Sequence, residues 1–272
     1  MGRRLAAKDF RGARAHRRAH GRWGRGGEEP GSGRRGPGHG EAPFYLFLCA
    51  RLSATLQLRD DAVVSAEDLA GNFFLDAASV GQNRAASSAP AAQELNPRVN
   101  VVVETASPAS LTVDELRAVH LVICCRDRIR EAAALDELCT QAGVPFFAVG
   151  ASGFLGYICC RVEGHVYCLE GHLDEKLVMP ASLPLSALYT DPLPSSGRRM
   201  TDSMKQLQMQ WKTDSSPTVP GLAPVCAIVG GVAGQQAIRI LTQVGRPLDS
   251  VFVYNAMEHV GKHESLLKPR KE

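Results

Sequence analysis

The 272 residues and the 44% apolar content of this chain are typical of one large or two small globular domains. Charge is unevenly distributed: residues 1–43 hold eleven Lys/Arg against four Asp/Glu, a net of +7, and residues 44–272 hold twenty against twenty-four, a net of −4. The longest apolar run, residues 44–50, is too short to span a bilayer and too far from Met1 for a signal-peptide core. We therefore expect no membrane partner.

The amino-terminal segment, residues 1–43, contains eleven glycines and almost no large aliphatic side chains. Such a composition does not bury enough apolar surface to offset the entropy of ordering, so it predicts a disordered basic tail. An Arg-rich start is also compatible with a mitochondrial transit peptide or with weak RNA binding. Aromatic residues are not interleaved with the charges, which makes a nucleic-acid partner the weaker interpretation.

From Thr55 the chain alternates between strand and helix patterns, which predicts an incomplete Rossmann-like core over residues 44–170. Residues 99–104 are continuous and β-branched, as in a strand covered on both faces, and a helix is expected from Ser79 or Gly81 to Leu95, bent or ended by Pro90. Further elements are expected at 55–59, 113–117, 120–125, 128–142 and 145–149. The predicted class is α/β with a doubly wound, mostly parallel sheet.

Beyond residue 156 the regular alternation of strand and helix patterns is expected to end. Residues 157–162 and 165–169 alternate and are separated by Glu163 and Gly164, which predicts a two-residue hairpin. Residues 171–221 are rich in Pro, Ser and Thr and have helical periodicity only near 204–211, so they are expected to form a flexible crossover. Within residues 222–272, a helix from Pro224 to Leu241 and a strand at 251–254 would complete the core.

The eight cysteines do not suggest a metal or disulfide framework. Cys124–Cys125 and Cys159–Cys160 are adjacent pairs in apolar runs, and the chain has no C-x-x-C motif, so a tetrahedral thiolate zinc site is not expected. His165 and Cys168 would point to opposite faces of one strand. Reduced, buried thiols are typical of a nuclear or cytosolic protein.

Three segments, residues 71–104, 144–157 and 223–241, resemble the adenylation fold of the enzymes that activate ubiquitin-like proteins, the ThiF/MoeB-like family, and in particular its small, non-catalytic SUMO-type subunits. Catalytic members of that family bind ATP on a glycine-rich turn between a strand and a helix. Residues 1–60 contain no such turn, because GRWGRGG at 21–27 follows no apolar strand. The resemblance therefore implies that the first βα unit is absent or replaced.

A replacement strand could come only from residues 44–49. About five residues separate this run from Thr55, whereas a parallel crossover needs about a dozen. From the sequence it remains open whether the polypeptide folds without its first unit.

The resemblance assigns two weak, vestigial cofactor-binding residues and no catalytic residue. Asp60 or Asp61 occupies the position of a ribose-binding carboxylate, and Arg84 stands where catalytic relatives carry a phosphate-binding lysine. Without the glycine turn, a structural salt bridge is the favoured interpretation of Arg84, and a turn cap is an equal alternative for the aspartates.

The helix expected from Pro224 carries Gly230, Gly231 and Gly234, and each internal glycine costs about 1 kcal/mol of helix stability. Close approach of another backbone would offset this cost. Family resemblance places the element near a subunit interface, so Val229 and the three glycines are predicted interface residues; packing on the chain's own sheet is the alternative.

The implied function is that of the non-catalytic subunit of a heterodimeric SUMO-activating enzyme in the nucleus or cytoplasm. Its catalytic partner would bind ATP and Mg²⁺ and adenylate the SUMO-like modifier. The alternatives are the regulatory subunit for the cullin-directed modifier and a truncated, inactive variant that competes for the partner. A dehydrogenase or a self-sufficient adenylating enzyme would need the glycine turn.

Overall fold

A computed structural model describes residues 46–50 through their backbone, together with 55–125, 129–189, 201–212 and 221–264. These residues belong to one compact unit, His39–Glu272. The strands are β1 Leu46–Ala50, β2 Thr55–Arg59, β3 Asn100–Glu104, β4 Val122–Cys124, β5 Phe146–Ser152, β6 Leu155–Arg161, β7 Val166–Leu169, β8 His172–Val178, β9 Ser250–Asn255 and β10 Val260–Glu264. The helices are α1 Asp68–Gly71, α2 Arg84–Leu95, α3 Val113–Arg117, α4 Ile129–Ala142, α5 Asp202–Lys212 and α6 Ala223–Thr242.

Eight strands form one mixed sheet in the order β10-β9-β6-β5-β4-β1-β2-β3, and β7 and β8 form a separate ribbon. Pairing is parallel between β2 and β3 and between β4 and β5, and antiparallel at the other junctions. The predicted α/β class is confirmed, but the sheet is mixed rather than mostly parallel, because two of the seven junctions between its described strands are parallel. Helices cover both sheet faces, as in doubly wound folds.

The central strand β1 runs in the opposite direction to its neighbours. Leu46 pairs with Arg59 at the end of β2 and with Cys124 at the end of β4, and both pairings are antiparallel. Residues 51–54 are the connection to β2. An antiparallel pair needs only a tight turn, so the shortness of this connection does not prevent residues 46–50 from filling the centre of the sheet.

Strand β3 lies at the edge of the sheet rather than between two layers. It pairs with β2 and is last in the strand order, and Val102 is 40% exposed. The expectation of a strand covered on both faces is therefore wrong. A β-branched run reports strand propensity, but not whether a second strand or helix covers it.

The hairpin expected across Glu163 and Gly164 is also wrong. Strand β6 pairs with β5 on one edge and with β9 on the other, so neither edge of β6 is available to the next strand. Strand β7 instead pairs with β8, and their connection is the turn at Glu170 and Gly171. The alternating pattern identified the strands but not their partners.

The segment 171–221 contains more regular structure than a crossover without periodicity would have. It includes β8, a 3-10 turn at Leu185–Tyr189 and α5, whose position agrees with the periodicity near 204–211. Residues 190–200 and 213–220 lie outside the described residues. Helix α2 begins at Arg84, where the Asn83 side chain accepts a hydrogen bond from the Ala86 N–H, and it continues through Pro90.

Two hydrophobic clusters lie on opposite faces of the sheet. One joins α3, α4 and α5 to strands β4, β5, β6 and β9 and contains the edge-to-face pair of Tyr157 and Trp211. The other joins α6 to the opposite face through Phe147 and Ile158. Helix α6 is long and apolar enough to cross a membrane by length and composition alone, and six of its 20 residues are buried inside the protein.

Candidate functional site

The end of β2 and the start of α2 meet at the carboxyl edge of the parallel strands. Asp60 directly follows β2, and its backbone carbonyl accepts a hydrogen bond of 2.8 Å from Asn83 Nδ2. Asn83 also caps α2, with 3.0 Å between its Oδ1 and the Ala86 nitrogen. One asparagine thus fixes the strand end against the helix start, at the edge where open α/β sheets bind ligands.

Arg84 lies in a buried cluster with two carboxylates. Its Nε is 2.6 Å from Asp60 Oδ2 and its Nη1 is 3.0 Å from Asp68 Oδ1, and the Arg84 side chain is 2% exposed. Asp60 Oδ1 accepts from the Ala62 N–H, and Asp68 Oδ2 accepts from the Ser65 N–H and hydroxyl. Arg84 at the start of α2 is therefore joined both to the residue after β2 and to the first residue of α1.

The charges of this cluster act on one another. Burial raises the pKa of Asp60 above its ordinary value, and the hydrogen bond from Arg84 opposes that rise. Burial acts to lower the pKa of Arg84, but the Asp60 hydrogen bond and the charges of both carboxylates outweigh it, so the Arg84 pKa is raised. The guanidinium therefore stays charged and stabilises the two carboxylates beside it.

This arrangement brings Asp60 and Arg84 together but uses their functional groups internally. Both Asp60 oxygens have protein donors and the side chain is completely buried, so neither oxygen is presented to a ribose. Arg84 would have to leave two carboxylates to bind a phosphate. The contacts support the structural salt bridge as the role of Arg84, and a nucleotide role for either residue stays a prediction.

Helix α6 separates the four predicted interface residues into two groups. Val229 is buried on the sheet, and a Cβ on Gly156 would lie 2.4 Å from Val229 Cγ2. A Cβ on Gly230, Gly231 or Gly234 would meet nothing within 4 Å. Val229 is thus an internal packing residue, whereas the three glycines lie on the side of α6 that the described residues leave open.

Large apolar side chains extend this exposed side. Ile228 and Ile238 project from α6, and Ile238 is 61% exposed. We call these two isoleucines and the three glycines the open face of α6. Helix α1, which precedes the 79% exposed Phe73, packs next to α6. The surface positions of Phe73 and the two isoleucines were not predicted from the sequence, although the FF pair at 73–74 was an available signal.

The described residues contain no group of three His, Cys, Asp or Glu side chains that could hold a metal ion. Cys124, Cys139, Cys159 and Cys160 are buried, and burial raises the thiol pKa of the last three. A buried, protonated thiol is a poor nucleophile. Cys139 therefore acts as a core side chain.

The strand order, with helices packed on both faces of the sheet, defines a doubly wound α/β protein. The chain matches the ThiF family over residues 47–271, and it belongs to that family. The SUMO-activating enzyme subunit 1 of Rattus norvegicus is 26% identical over 288 residues, covering 78% of this chain and 80% of the relative. The subunit 1B-1 of Arabidopsis thaliana is 22% identical, covering 78% and 81%.

Solved structures show the same fold. Escherichia coli MccB with ATP superimposes with a TM-score of 0.54 at 12% identity, covering 80% of this chain and 57% of MccB. MccB with MccA-N7isoASN gives a TM-score of 0.55 at 12% identity, covering 80% and 58%. The chain thus spans less than two thirds of these proteins. The family and the two relatives named above support a role for this chain in activating ubiquitin-like modifiers.

Proposed function

We propose that this chain is the non-catalytic subunit of a heterodimeric SUMO-activating enzyme, acting in the nucleus. Its partner is the catalytic subunit, which binds ATP and Mg²⁺ and adenylates the SUMO-like modifier. The observation that carries the proposal is the combination of subunit 1 relatives with a carboxyl edge where Asp60 and Arg84 neutralise each other.

The sheet geometry supports a chain without its own adenylation chemistry. A phosphate cradle needs successive backbone N–H groups at a helix amino terminus that follows a parallel strand. Here β1 pairs antiparallel with β2, and the four residues that separate them in the sequence, 51–54, are too few for a crossover helix. We interpret β1 as the replacement of the first βα unit.

The surface supports a partner subunit. The open face of α6 and Phe73 expose apolar side chains on neighbouring elements, and such patches are typical of protein interfaces. Aromatic side chains at the centre of an interface commonly contribute more than their neighbours to affinity. We therefore expect Phe73 and the glycines of α6 to contact the catalytic subunit.

The test is co-expression of the full chain with the catalytic subunit for SUMO from the same organism, followed by size-exclusion chromatography and ATP–pyrophosphate exchange with SUMO. A complex with exchange activity supports the proposal. A complex without exchange favours a competing inactive variant. Binding only to the catalytic subunit for the cullin-directed modifier, or to neither subunit, would overturn it.

Two surface variants sharpen this test. Gly231→Leu adds a side chain on the open face of α6, and Phe73→Ala removes the exposed aromatic ring. Each is expected to weaken association about tenfold or more. Met209→Ala on α5, which packs on the opposite sheet face, removes a similarly exposed apolar side chain and serves as the control.

A further inference from the structure

Asp136 is a buried carboxylate whose two oxygens have unequal surroundings. It lies on α4 and is completely buried. Its Oδ2 accepts hydrogen bonds from Arg161 Nη1 at 3.0 Å and from the Leu185 backbone N–H at 2.9 Å. Its Oδ1 is buried and accepts no hydrogen bond from the described residues. A buried carboxylate oxygen in this state costs free energy unless another donor reaches it.

A cavity of about 20 Å³ lies beside this carboxylate. Its walls include Asp136, Arg161 and Cys159, together with Leu185, Leu188 and Ser250. A cavity needs roughly 10–15 Å³ to hold one water molecule, so this one is large enough for a single water. Its wall is polar at Asp136 and Arg161, which distinguishes it from the apolar voids that stay dry.

The crossover segment forms one wall of this cavity. Leu185 and Leu188 belong to the 3-10 turn that follows the ribbon, and both are buried against α4. Tyr189 at the end of the turn lies under Arg130 of α4, with 5.8 Å between the guanidinium carbon and the ring centroid. The site therefore exists only when this part of the crossover packs on the core.

We propose that this cavity is a binding site for one water molecule, which donates a hydrogen bond to Asp136 Oδ1 and fastens the crossover turn to α4 and β6. The water supplies a donor to one oxygen of a carboxylate whose other oxygen already accepts hydrogen bonds from the Leu185 N–H and from Arg161. Burial raises the pKa of Asp136, opposed by the Leu185 N–H and by Arg161. A donor on Oδ1 favours the ionised form, which the Arg161 ion pair requires.

The experiment compares Cys159→Val with Cys124→Val in the full chain. Both cysteines are buried on strands in the same cluster, but only Cys159 lines the cavity. Each change adds about one methyl group. If the water is present, Cys159→Val displaces it and leaves Oδ1 without a donor, so the unfolding equilibrium constant rises at least tenfold more than in Cys124→Val.

A dry cavity gives the opposite sign. Filling a void recovers packing, so Cys159→Val would then match or exceed the stability of Cys124→Val, and the proposal would be wrong. If Cys159→Val does not fold, the wild-type chain decides. A cross-relaxation signal between a long-lived water and the Leu185 amide proton in NMR spectra supports the site, and its absence overturns it.

Discussion

Replacement of Arg84 by methionine is expected to be among the most destabilising single changes in this protein. Methionine keeps a linear apolar side chain but removes the positive charge that stabilises Asp60 and Asp68, at distances of 2.6 and 3.0 Å. Removing one partner of a buried ion pair costs about 3–5 kcal/mol. With a urea dependence of about 2 kcal/mol per molar, the unfolding midpoint should fall by about 1.5–2.5 M.

The matched control is Arg117→Met. Arg117 forms an ion pair of 2.8 Å with Asp114, but both side chains are more than half exposed. Such surface pairs contribute about 0–1 kcal/mol. Urea unfolding followed by circular dichroism compares the two variants. An equal midpoint shift in both would refute the inference that the Arg84 cluster is desolvated.

A triple variant separates charge from packing. Asp60→Asn and Asp68→Asn, combined with Arg84→Met, remove all three charges while keeping the side-chain volumes close to their original values. Because an uncompensated charge is the main cost in the single variant, the triple variant should recover part of the lost stability. A triple variant less stable than Arg84→Met would show that the hydrogen bonds of the carboxylates, rather than their charges, dominate.

Three further outcomes are expected. The Asp249 carboxylate, whose Oδ1 is 2.8 Å from His263 Nε2, raises the pKa of His263 by hydrogen bonding. The stabilisation from this pair is therefore complete below about pH 6.5 and is lost as the pH rises through the raised pKa. The urea midpoints of the wild type and His263→Gln should differ at pH 6 and converge at pH 9. Gly156→Ala should lower the melting temperature, because its Cβ would overlap Val229, whereas Gly230→Ala, which meets open space, should preserve or raise it. Iodoacetamide followed by mass spectrometry should label the partly exposed Cys226 before Cys139, and early Cys139 labelling would contradict its place in the core.

The sequence predicted local features better than long-range ones. The helix that ends just before Gly143 and the strand after Pro145 were predicted from side-chain periodicity and from the glycine itself, which has a positive φ in the structure. Pairing partners do not follow from periodicity, because β6 and β7 alternate in the same way whether they pair with each other or with β9 and β8. The pairing of β6 with β9 and of β7 with β8 depends on long-range contacts that a local pattern does not contain.

For the candidate site, the sequence identified Asp60 and Arg84 but not Asp68, which lies eight residues beyond Asp60 in a short helix without a motif. It identified the glycines of α6 but placed Val229 with them. A glycine pattern indicates that space is needed near a helix, but it does not show on which side that space lies. The close contact between Gly156 of β6 and Val229 shows which side of α6 faces the sheet.

The direction of β1 determines where sequence attached to the amino end of the core emerges. Because Leu46 pairs with Arg59 and Cys124, the polypeptide enters the sheet at the edge next to Asp60. A parallel first strand would begin at the opposite edge. A fluorophore or crosslinker placed just before Leu46 therefore reports on events at the edge where doubly wound proteins hold nucleotides, and a bulky affinity tag on a short linker there would crowd it.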